Sequence, residues 1–200
     1  MSNNLPAAAK VIVEEEIGDS LPPGYYFLPS AAQLIEEYLL QKILDLPMAS
    51  NIVKIMDFVE LIDPDQLNLE EFKYCKDKEG YYITKKAERK ANEKTIIKTL
   101  TGHWKEYKSN IPISNNSQIV GYKSTFTFYQ ADGTETAWKL NEYTSNPDIV
   151  PVDALTDTVR AKIEEYVACR IHIKKVKLAE QVIYNEETVK DEDEDEDGEE

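Results

Sequence analysis

One early segment of the chain repeats its hydrophobic residues every three or four positions. That spacing places them on one face of an α-helix, which completes a turn in about 3.6 residues. Ser30 precedes the repeat and can cap the first turn through its hydroxyl. Asp63 and Pro64 indicate a second, short helical start, with Asp63 as the cap and Pro64 in the first position. The residues predicted to share a face of the first helix are Leu34, Ile35, Tyr38, Leu39 and Ile43.

The repeat changes to every second residue from Tyr81 onward, which is typical of β-strands. Phe126 and Phe128 point to one side of a strand in this pattern, and Thr125 and Thr127 point to the other. Residues 131–133, Ala-Asp-Gly, form a turn signal, because glycine tolerates a positive φ there. Strands are predicted over residues 81–84, 122–129, 138–143 and 166–173.

A helix followed by several strands predicts an α+β fold, with the helix packed on or beside one antiparallel sheet. Twelve Tyr, five Phe and two Trp suit the half-buried surface of such a sheet. We interpret Trp104 and Trp138 as anchors of its core. The secondary structure of residues 156–166 is ambiguous, although Val159 and Ile163 allow a helix there. The 200 residues suffice for one domain with tails.

The charge of the chain is unevenly distributed. The formal net charge is −15, yet residues 73–108 hold 11 Lys and Arg against 5 Asp and Glu, a local net charge of +6. Residues 1–72 carry a net charge of −10, and residues 191–200 carry −9 without a single cation. Because phosphate attraction depends on the local field, the basic stretch is either a phosphate-binding face or a solvated surface.

Groups suited to catalysis or metal binding are sparse. His103, His172, Cys75 and Cys169 are the only soft metal ligands, and no pair has the close spacing of a zinc site. Seven scattered glycines offer no phosphate loop, and no Ser-His-Asp arrangement is recognisable. We therefore expect no catalytic residue, no metal, no cofactor and no small-molecule substrate. Two distant cysteines favour a reducing compartment, with Cys169 buried, and the apolar runs are too short for a membrane span.

Five segments, in chain order, resemble the NAC family of plant transcription factors. Residues 21–30 read LPPGYYFLPS, similar to the family's LPPGFRFHPT, and residues 63–67 read DPDQL, similar to DPWDL. Residues 102–105 read GHWK, similar to GYWK, and residues 121–129 with 138–143 resemble GIKKTLVFY and WVMHEY. Residues 165–171 read EYVACRI, similar to DWVLCRV. The resemblance covers about residues 21 to 175.

The resemblance implies a twisted antiparallel sheet flanked by a few helices. It also implies that the protein acts in the nucleus. It implies that residues 21–175 bind double-stranded DNA, with a strand edge around Trp104 and Lys105 entering the major groove. Residues 1–20 are then a flexible segment, and residues 176–200 an acidic, disordered tail. The opening segment is expected to form a homo- or heterodimer with NAC-like proteins. Its expected dimer residues are Leu21, Pro22, Tyr26 and Gln33.

The expected DNA-binding residues lie mainly in the basic stretch. Lys105 matches the family motif, and strict alternation would turn Lys105 and Lys108 to opposite sides of one strand, so that one of them is merely solvated. The cluster at 85–90 could contact the DNA backbone, act as a nuclear-import signal or be simple surface. The full expected set is Lys85, Lys86, Arg89, Lys90, Lys98, Lys105, Lys108 and Lys123.

Three of the departures from the family pattern bear on the expected interfaces. Tyr26 and Gln33 stand where the family has an Arg and a Glu, so the dimer ion pair is missing. Glu106 follows the motif lysine and is expected to repel phosphate. Two functions remain: a sequence-specific DNA-binding regulator of transcription, or a protein-interaction module that has kept the fold, lost DNA affinity and modulates its relatives by dimerisation.

Overall fold

The computed structural model describes residues 25–48, 50–56, 63–64, 67, 74–75, 79–87 and 95–174. The expected flexible segment 1–20, the expected tail 176–200, Leu21, Pro22, Arg89 and Lys90 lie outside these residues. The described strands are β1 Lys54–Ile55, β2 Glu79–Lys85, β3 Ile96–Lys98, β4 Gly102–Asn115, β5 Gln118–Gln130, β6 Glu135–Ser145 and β7 Tyr166–Ile173.

The strands form one seven-stranded sheet in the order β1-β2-β7-β6-β5-β4-β3. The short β1 runs parallel to β2, and every other neighbouring pair is antiparallel. The four strands predicted from the two-residue repeat lie within β2, β5, β6 and β7. The predicted fold class, α+β with an antiparallel sheet, is therefore confirmed, and the parallel β1 is an addition to it.

The first helix begins after Ser30 and comprises an α-helical turn Ala31–Gln33, a π-helical stretch Leu34–Leu39 and an α-helical turn Leu40–Ile43. The Ser30 hydroxyl accepts a hydrogen bond from the Gln33 amide at 3.1 Å, and the Gln33 side-chain oxygen accepts one from the Ser30 amide at 3.0 Å. This reciprocal capping satisfies two amides that the helix leaves unpaired. The predicted apolar face is buried at every position, from Leu34 to Ile43.

Two hydrophobic clusters lie on the two sides of the sheet. On one side, the first helix packs against Tyr81, Ile83, Tyr143 and Ala168. The cluster on the other side contains Trp104, Phe126, Phe128, Leu140, Cys169 and Ile171, with Trp138 packed against it. The interpretation of Trp104 as a core anchor and of Cys169 as a buried thiol is thus confirmed, whereas Trp138 is only partly buried and packs against the cluster from outside.

The connections between the strands follow the local sequence. Gly133 has a φ of 86° in the predicted turn between β5 and β6. The undecided residues 156–166 form the second helix, Asp157–Glu165, which the Thr156 hydroxyl caps by accepting the Val159 amide at 3.3 Å. Ile163 is buried and Val159 packs against the core, so the helical spacing of these two residues places both on the inner side of the second helix.

Asp63 ties its segment to the turn that precedes β4. Its side chain is only 2% exposed. One carboxylate oxygen accepts the hydroxyls of Thr99 and Thr101, and the other accepts the Thr101 amide at 3.0 Å. Pro64 lies in a short 3-10 turn, and residues 65 and 66, which an Asp63 cap would serve, lie outside the described residues.

Candidate nucleic-acid interface

A β-bulge turns Lys105 and Lys108 to the same face of the sheet. Lys105 lies opposite Thr127 and Lys108 lies opposite Thr125, so Tyr107 is an extra residue in β4. Thr125 and Thr127 share a face of β5, and directly paired residues share a face as well. The prediction that these two lysines point apart was wrong, because one inserted residue reverses the alternation beyond it.

The pairing register carries this face across three more strands. Lys139 of β6 also lies opposite Thr127, and His172 of β7 lies opposite Lys139. Lys123 of β5 lies opposite Ile111 of β4, two positions along from Thr125. These residues and Lys174, which follows β7, border an open concavity of about 750 Å³.

Lys98 joins the same face at the edge of the sheet. It lies opposite His103 in the β3–β4 pair, and His103 lies opposite Tyr129 in the β4–β5 pair. The rings of His103 and Tyr129 stack with their centroids 5.5 Å apart. We use the term basic surface for the six lysines of this face: Lys98, Lys105, Lys108, Lys123, Lys139 and Lys174.

Two acidic residues, Glu135 and Glu106, line the concavity, and each carboxylate already accepts a hydrogen bond. Glu135 lies 3.2 Å from the Lys139 ammonium and accepts the Tyr129 hydroxyl at 3.1 Å. The hydrogen bond from Lys139 and then that from Tyr129 lower the pKa of Glu135, so it is ionised at neutral pH. Lys139 also donates to the Thr127 hydroxyl at 2.7 Å. Lys139 is therefore largely neutralised by its own neighbour.

The other carboxylate, Glu106, belongs to a residue on the opposite side of β4 from Lys105. It is 9% exposed and lies on the side of Trp104, opposite Phe126. Its carboxylate accepts the Thr95 amide at 3.1 Å, and its own amide donates to the Thr95 carbonyl at 3.0 Å. The expectation that Glu106 repels phosphate stays a prediction: its carboxylate is bonded to Thr95, and the residue also lines the concavity.

The remaining lysines of the basic surface keep their charge available. Within the part of the chain that the structure describes, these five lysines, Lys98, Lys105, Lys108, Lys123 and Lys174, form no ion pair with a carboxylate. The Lys105 ammonium lies 5.7 Å from the centroid of the Tyr129 ring, and that of Lys108 lies 5.4 Å from the Tyr107 ring. A cation above an aromatic face is held in place without losing its charge.

His172 adds no positive charge to the basic surface at neutral pH. Burial, followed by the charges of Arg170 and Lys139, lowers its pKa to about 4. Arg170 is itself neutralised, because its guanidinium donates to the Glu79 carboxylate, in one case at 2.8 Å. The charge of this face therefore rests on its lysines.

The strand edge lies farther along β4 than the sequence predicted. The outer side of Gly102–Lys105 is covered by β3, whose Ile96 pairs with Lys105. Among the described residues, no strand pairs with the outer side of β4 beyond Glu106. The exposed edge accordingly begins at Tyr107, directly beside Lys108, and Tyr107 is itself 68% exposed.

Lys85 and Lys86 lie apart from the basic surface. The Lys85 ammonium is 2.6 Å from the Glu165 carboxylate, and the Lys86 amide donates to the Glu165 carbonyl at 2.6 Å. Lys85 is six residues along β2 from Glu79, the residue paired with His172, which corresponds to about 20 Å. The structure thus brings Lys98, Lys105, Lys108 and Lys123 together, and it separates Lys85 and Lys86 from them.

Lys139 and Lys174 were missed by sequence reasoning. Both lie in the part of the chain where the net charge is slightly negative, so the local charge count gave no signal. Lys139 sits in a predicted strand, but only the β5–β6 register shows that it shares a face with Lys105. Knowledge of the pairing register would have placed Lys139 on this face.

The described part of the opening segment exposes a hydrophobic patch. Tyr25, Tyr26 and Leu28 are 69%, 59% and 62% exposed. Phe27 between them is anchored, since its ring packs edge-on against Tyr38 and its amide donates to the Tyr74 carbonyl at 2.7 Å. The side chain of Gln33 is used within the chain, where it forms the capping box of the first helix with Ser30. Tyr26 therefore points outward on a fixed segment.

Neither a metal-binding cluster nor a membrane-crossing helix occurs in the described ranges. No group of three His, Cys, Asp or Glu side chains there is arranged to hold a metal ion. No helix there is long and apolar enough to span a bilayer.

Comparison with known proteins identifies similar sequences. A family model described as "No apical meristem (NAM) protein" matches residues 22–145. NAC domain-containing protein 83 of Arabidopsis thaliana is 30% identical over 162 residues, which cover 78% of this chain and 59% of that protein. NAC domain-containing protein 41 of the same plant is 28% identical over 158 residues, covering 78% and 55%. NAC domain-containing protein 68 of Oryza sativa subsp. japonica is 28% identical over 181 residues, covering 81% and 53%. The chain spans little more than half the length of these relatives.

Proposed function

This chain belongs to the NAC (no apical meristem) family, and we propose that it is a sequence-specific DNA-binding regulator of transcription that acts in the nucleus. The observation that carries the proposal is the β4 bulge, which sets Lys105 and Lys108 on one face beside the exposed strand edge at Tyr107. Clustered lysines next to an open edge offer phosphate contacts and a ribbon for the groove in one place.

The proposed docking places the outer strands in the major groove. That groove is about 12 Å wide and admits a two-stranded ribbon, and neighbouring strands lie about 4.8 Å apart. The edge of β4 from Tyr107 onward would approach the bases, while Lys123 and Lys174 would lie over the phosphates. Lys105 stays the expected base-reading residue, as its position in the GHWK motif suggests.

A titration of duplex DNA at several salt concentrations tests the proposal. Three to five phosphate contacts by one chain give a slope of log K against log salt of roughly −3 to −5 per bound chain. Lys108→Ala should make the slope less steep by about one and weaken all sequences alike. Lys105→Ala should cost roughly 1–3 kcal/mol and relax preference at a single base pair. Lys54→Ala, in β1 at the far edge of the sheet, is the matched control and should change neither quantity.

A protein-interaction role is the second candidate, and the exposed patch at Tyr25, Tyr26 and Leu28 favours it. In that case the chain would pair with NAC-like proteins through the opening segment without contacting DNA. The same titration separates the two functions. Absence of salt-dependent binding to any duplex, in a chain that still self-associates, would leave the interaction role and reject DNA binding.

A further inference from the structure

We propose that the acidic segment at residues 191–200 of this chain binds its own basic surface and competes there with DNA. The competition with DNA rests on the proposed function, whereas the intramolecular contact does not. The segment has nine Asp and Glu among its ten residues and no cation. Among the described residues, the basic surface offers the opposite, positive charge on a concave face.

Strand β7 ends beside this surface, and the acidic segment follows it in the sequence. Strand β7 ends at Ile173, and the next residue, Lys174, already borders the concavity. Residues 175–190 then connect Lys174 to the acidic segment. Sixteen residues can span up to about 55 Å when fully extended. From β7 to β4 the sheet crosses three strand spacings, about 15 Å, so the segment can reach every lysine of the surface.

The charges of the two parts are opposite in sign, and each part holds several of them. Four lysines, Lys105, Lys108, Lys123 and Lys174, form no ion pair with a described carboxylate. About four or five extended residues cover the 15 Å between β7 and β4, and because successive side chains point to opposite sides, two or three of their carboxylates can face these ammonium groups at once. Several such contacts in one network stabilise a complex where single exposed ion pairs do not.

Tethering makes a weak contact effective. A short linker gives an attached ligand an effective concentration on the order of 1 mM. A site with an intrinsic dissociation constant of about 0.1 mM is then occupied about nine-tenths of the time, which weakens DNA binding about tenfold. Because the contacts are charged and exposed, the effect should decline above physiological salt, where the screening length falls below about 8 Å.

Cross-linking of the full chain tests the intramolecular contact without DNA. A carbodiimide condenses a carboxylate with a nearby lysine amine into an amide, and mass spectrometry identifies the joined residues. We expect links from residues 191–200 to Lys105, Lys108 and Lys123 at low salt, and their loss at about 0.5 M salt, where charges are strongly screened. Lys54, at the far edge of the sheet, is the control. Links to Lys54 as frequent as those to Lys108, or links that survive high salt or appear only between two chains, would overturn the proposal.

Matched variants of the full chain test the competition. Glu192, Glu194 and Glu196 are changed together to Gln in one variant. Glu14, Glu15 and Glu16 are changed together to Gln in the other, so both gain the same three units of charge. Neutralisation within the acidic segment should raise DNA affinity several-fold at low salt, and the control should raise it less.

The two variants also separate this inference from the proposed function. Equal affinity gains in both variants would mean that overall charge alone accounts for the effect, and this result would reject the competition. If neither variant nor the parent chain binds DNA, the proposed function fails, and the cross-links still decide whether the segment occupies the basic surface.

Discussion

The Glu106 carboxylate joins two segments whose contacting residues are eleven positions apart. It accepts the Thr95 amide just before β3, so it holds the edge strand against β4. Glu106→Ala leaves that buried amide without its acceptor, which costs about 1–3 kcal/mol of stability. Urea unfolding monitored by tryptophan fluorescence measures the loss. Glu106→Gln keeps an acceptor oxygen and is the matched control; if both variants unfold at the same urea concentration, the Thr95 contact contributes nothing.

His172 gives the stability a defined dependence on pH. Its folded-state pKa is about 4, against about 6.5 in the unfolded chain. Between these values the unfolded state binds more protons, so stability falls as pH drops from 6.5 toward 4 and this contribution levels off below 4. The side chain is partly exposed, so we expect a loss of about 1–2 kcal/mol rather than the full value of the shift.

Two substitutions isolate this contribution from that of the carboxylates. Urea unfolding at about pH 7 and about pH 5, on either side of the ordinary histidine pKa, should show a smaller difference for His172→Gln than for the parent chain. His103→Gln, at the other imidazole of the chain, should keep the difference of the parent. An unchanged pH dependence in His172→Gln would mean that the imidazole is not desolvated in the fold.

At the scale of elements, Gly121 permits a close approach of β5 to β6 and to the first helix. A Cβ atom at this position would lie 2.0 Å from the Thr144 carbonyl oxygen and 2.8 Å from the Ile35 side chain. Both β6 and the first helix would have to move. Gly121→Ala should therefore destabilise the protein by more than about 2 kcal/mol, since the nearest atom is backbone.

Thermal unfolding of Gly121→Ala and Gly133→Ala provides the comparison. Gly133 has a positive φ, but a Cβ atom there would meet no other atom within 4 Å, so its replacement carries only backbone strain. That strain costs about 1 kcal/mol. We expect the melting temperature of Gly121→Ala to fall several degrees below that of Gly133→Ala. The reverse order would contradict the close contact between β5 and the first helix.

Elements with several residues of regular spacing could be predicted, and short or irregular ones could not. The first helix and four strands follow from repeats of hydrophobic positions, and their buried faces are those expected. The two residues of β1 and the three of β3 are too few to show a repeat. The bulge at Tyr107 depends on which residue of β5 lies opposite, and that pairing is long-range information.

The candidate site was predictable to the same extent. Lys105 and Lys123 were named because they match family positions and Lys108 because it lies in the basic stretch, but their common face needed the bulge and the register. The hydrogen bond between Glu106 and Thr95 could not be predicted, because it joins a residue of β4 to the residue just before β3. Lys139 joined the site only through its pairing with Thr127.

At the scale of the whole molecule, one face of the sheet has a covered part and an open part. The first helix covers the part around Tyr81, Ile83, Tyr143 and Ala168, and the rest of that face carries the basic surface. The exposed patch at Tyr25, Tyr26 and Leu28 belongs to the segment that leads into the same helix. A second chain bound at this patch would therefore be held through a rigid connection to the sheet.

Such a dimer would present two basic surfaces to one DNA duplex. Tyr26→Ser removes an exposed aromatic ring that a partner would bury, so we expect sedimentation at micromolar concentration to shift toward the monomer. The slope of log K against log salt should fall by about half in the same variant, because each chain then binds alone. Tyr107→Ser, at an equally exposed tyrosine on the β4 edge, should leave the association state unchanged. A tight homodimer that persists in Tyr26→Ser would place the contact elsewhere on the chain.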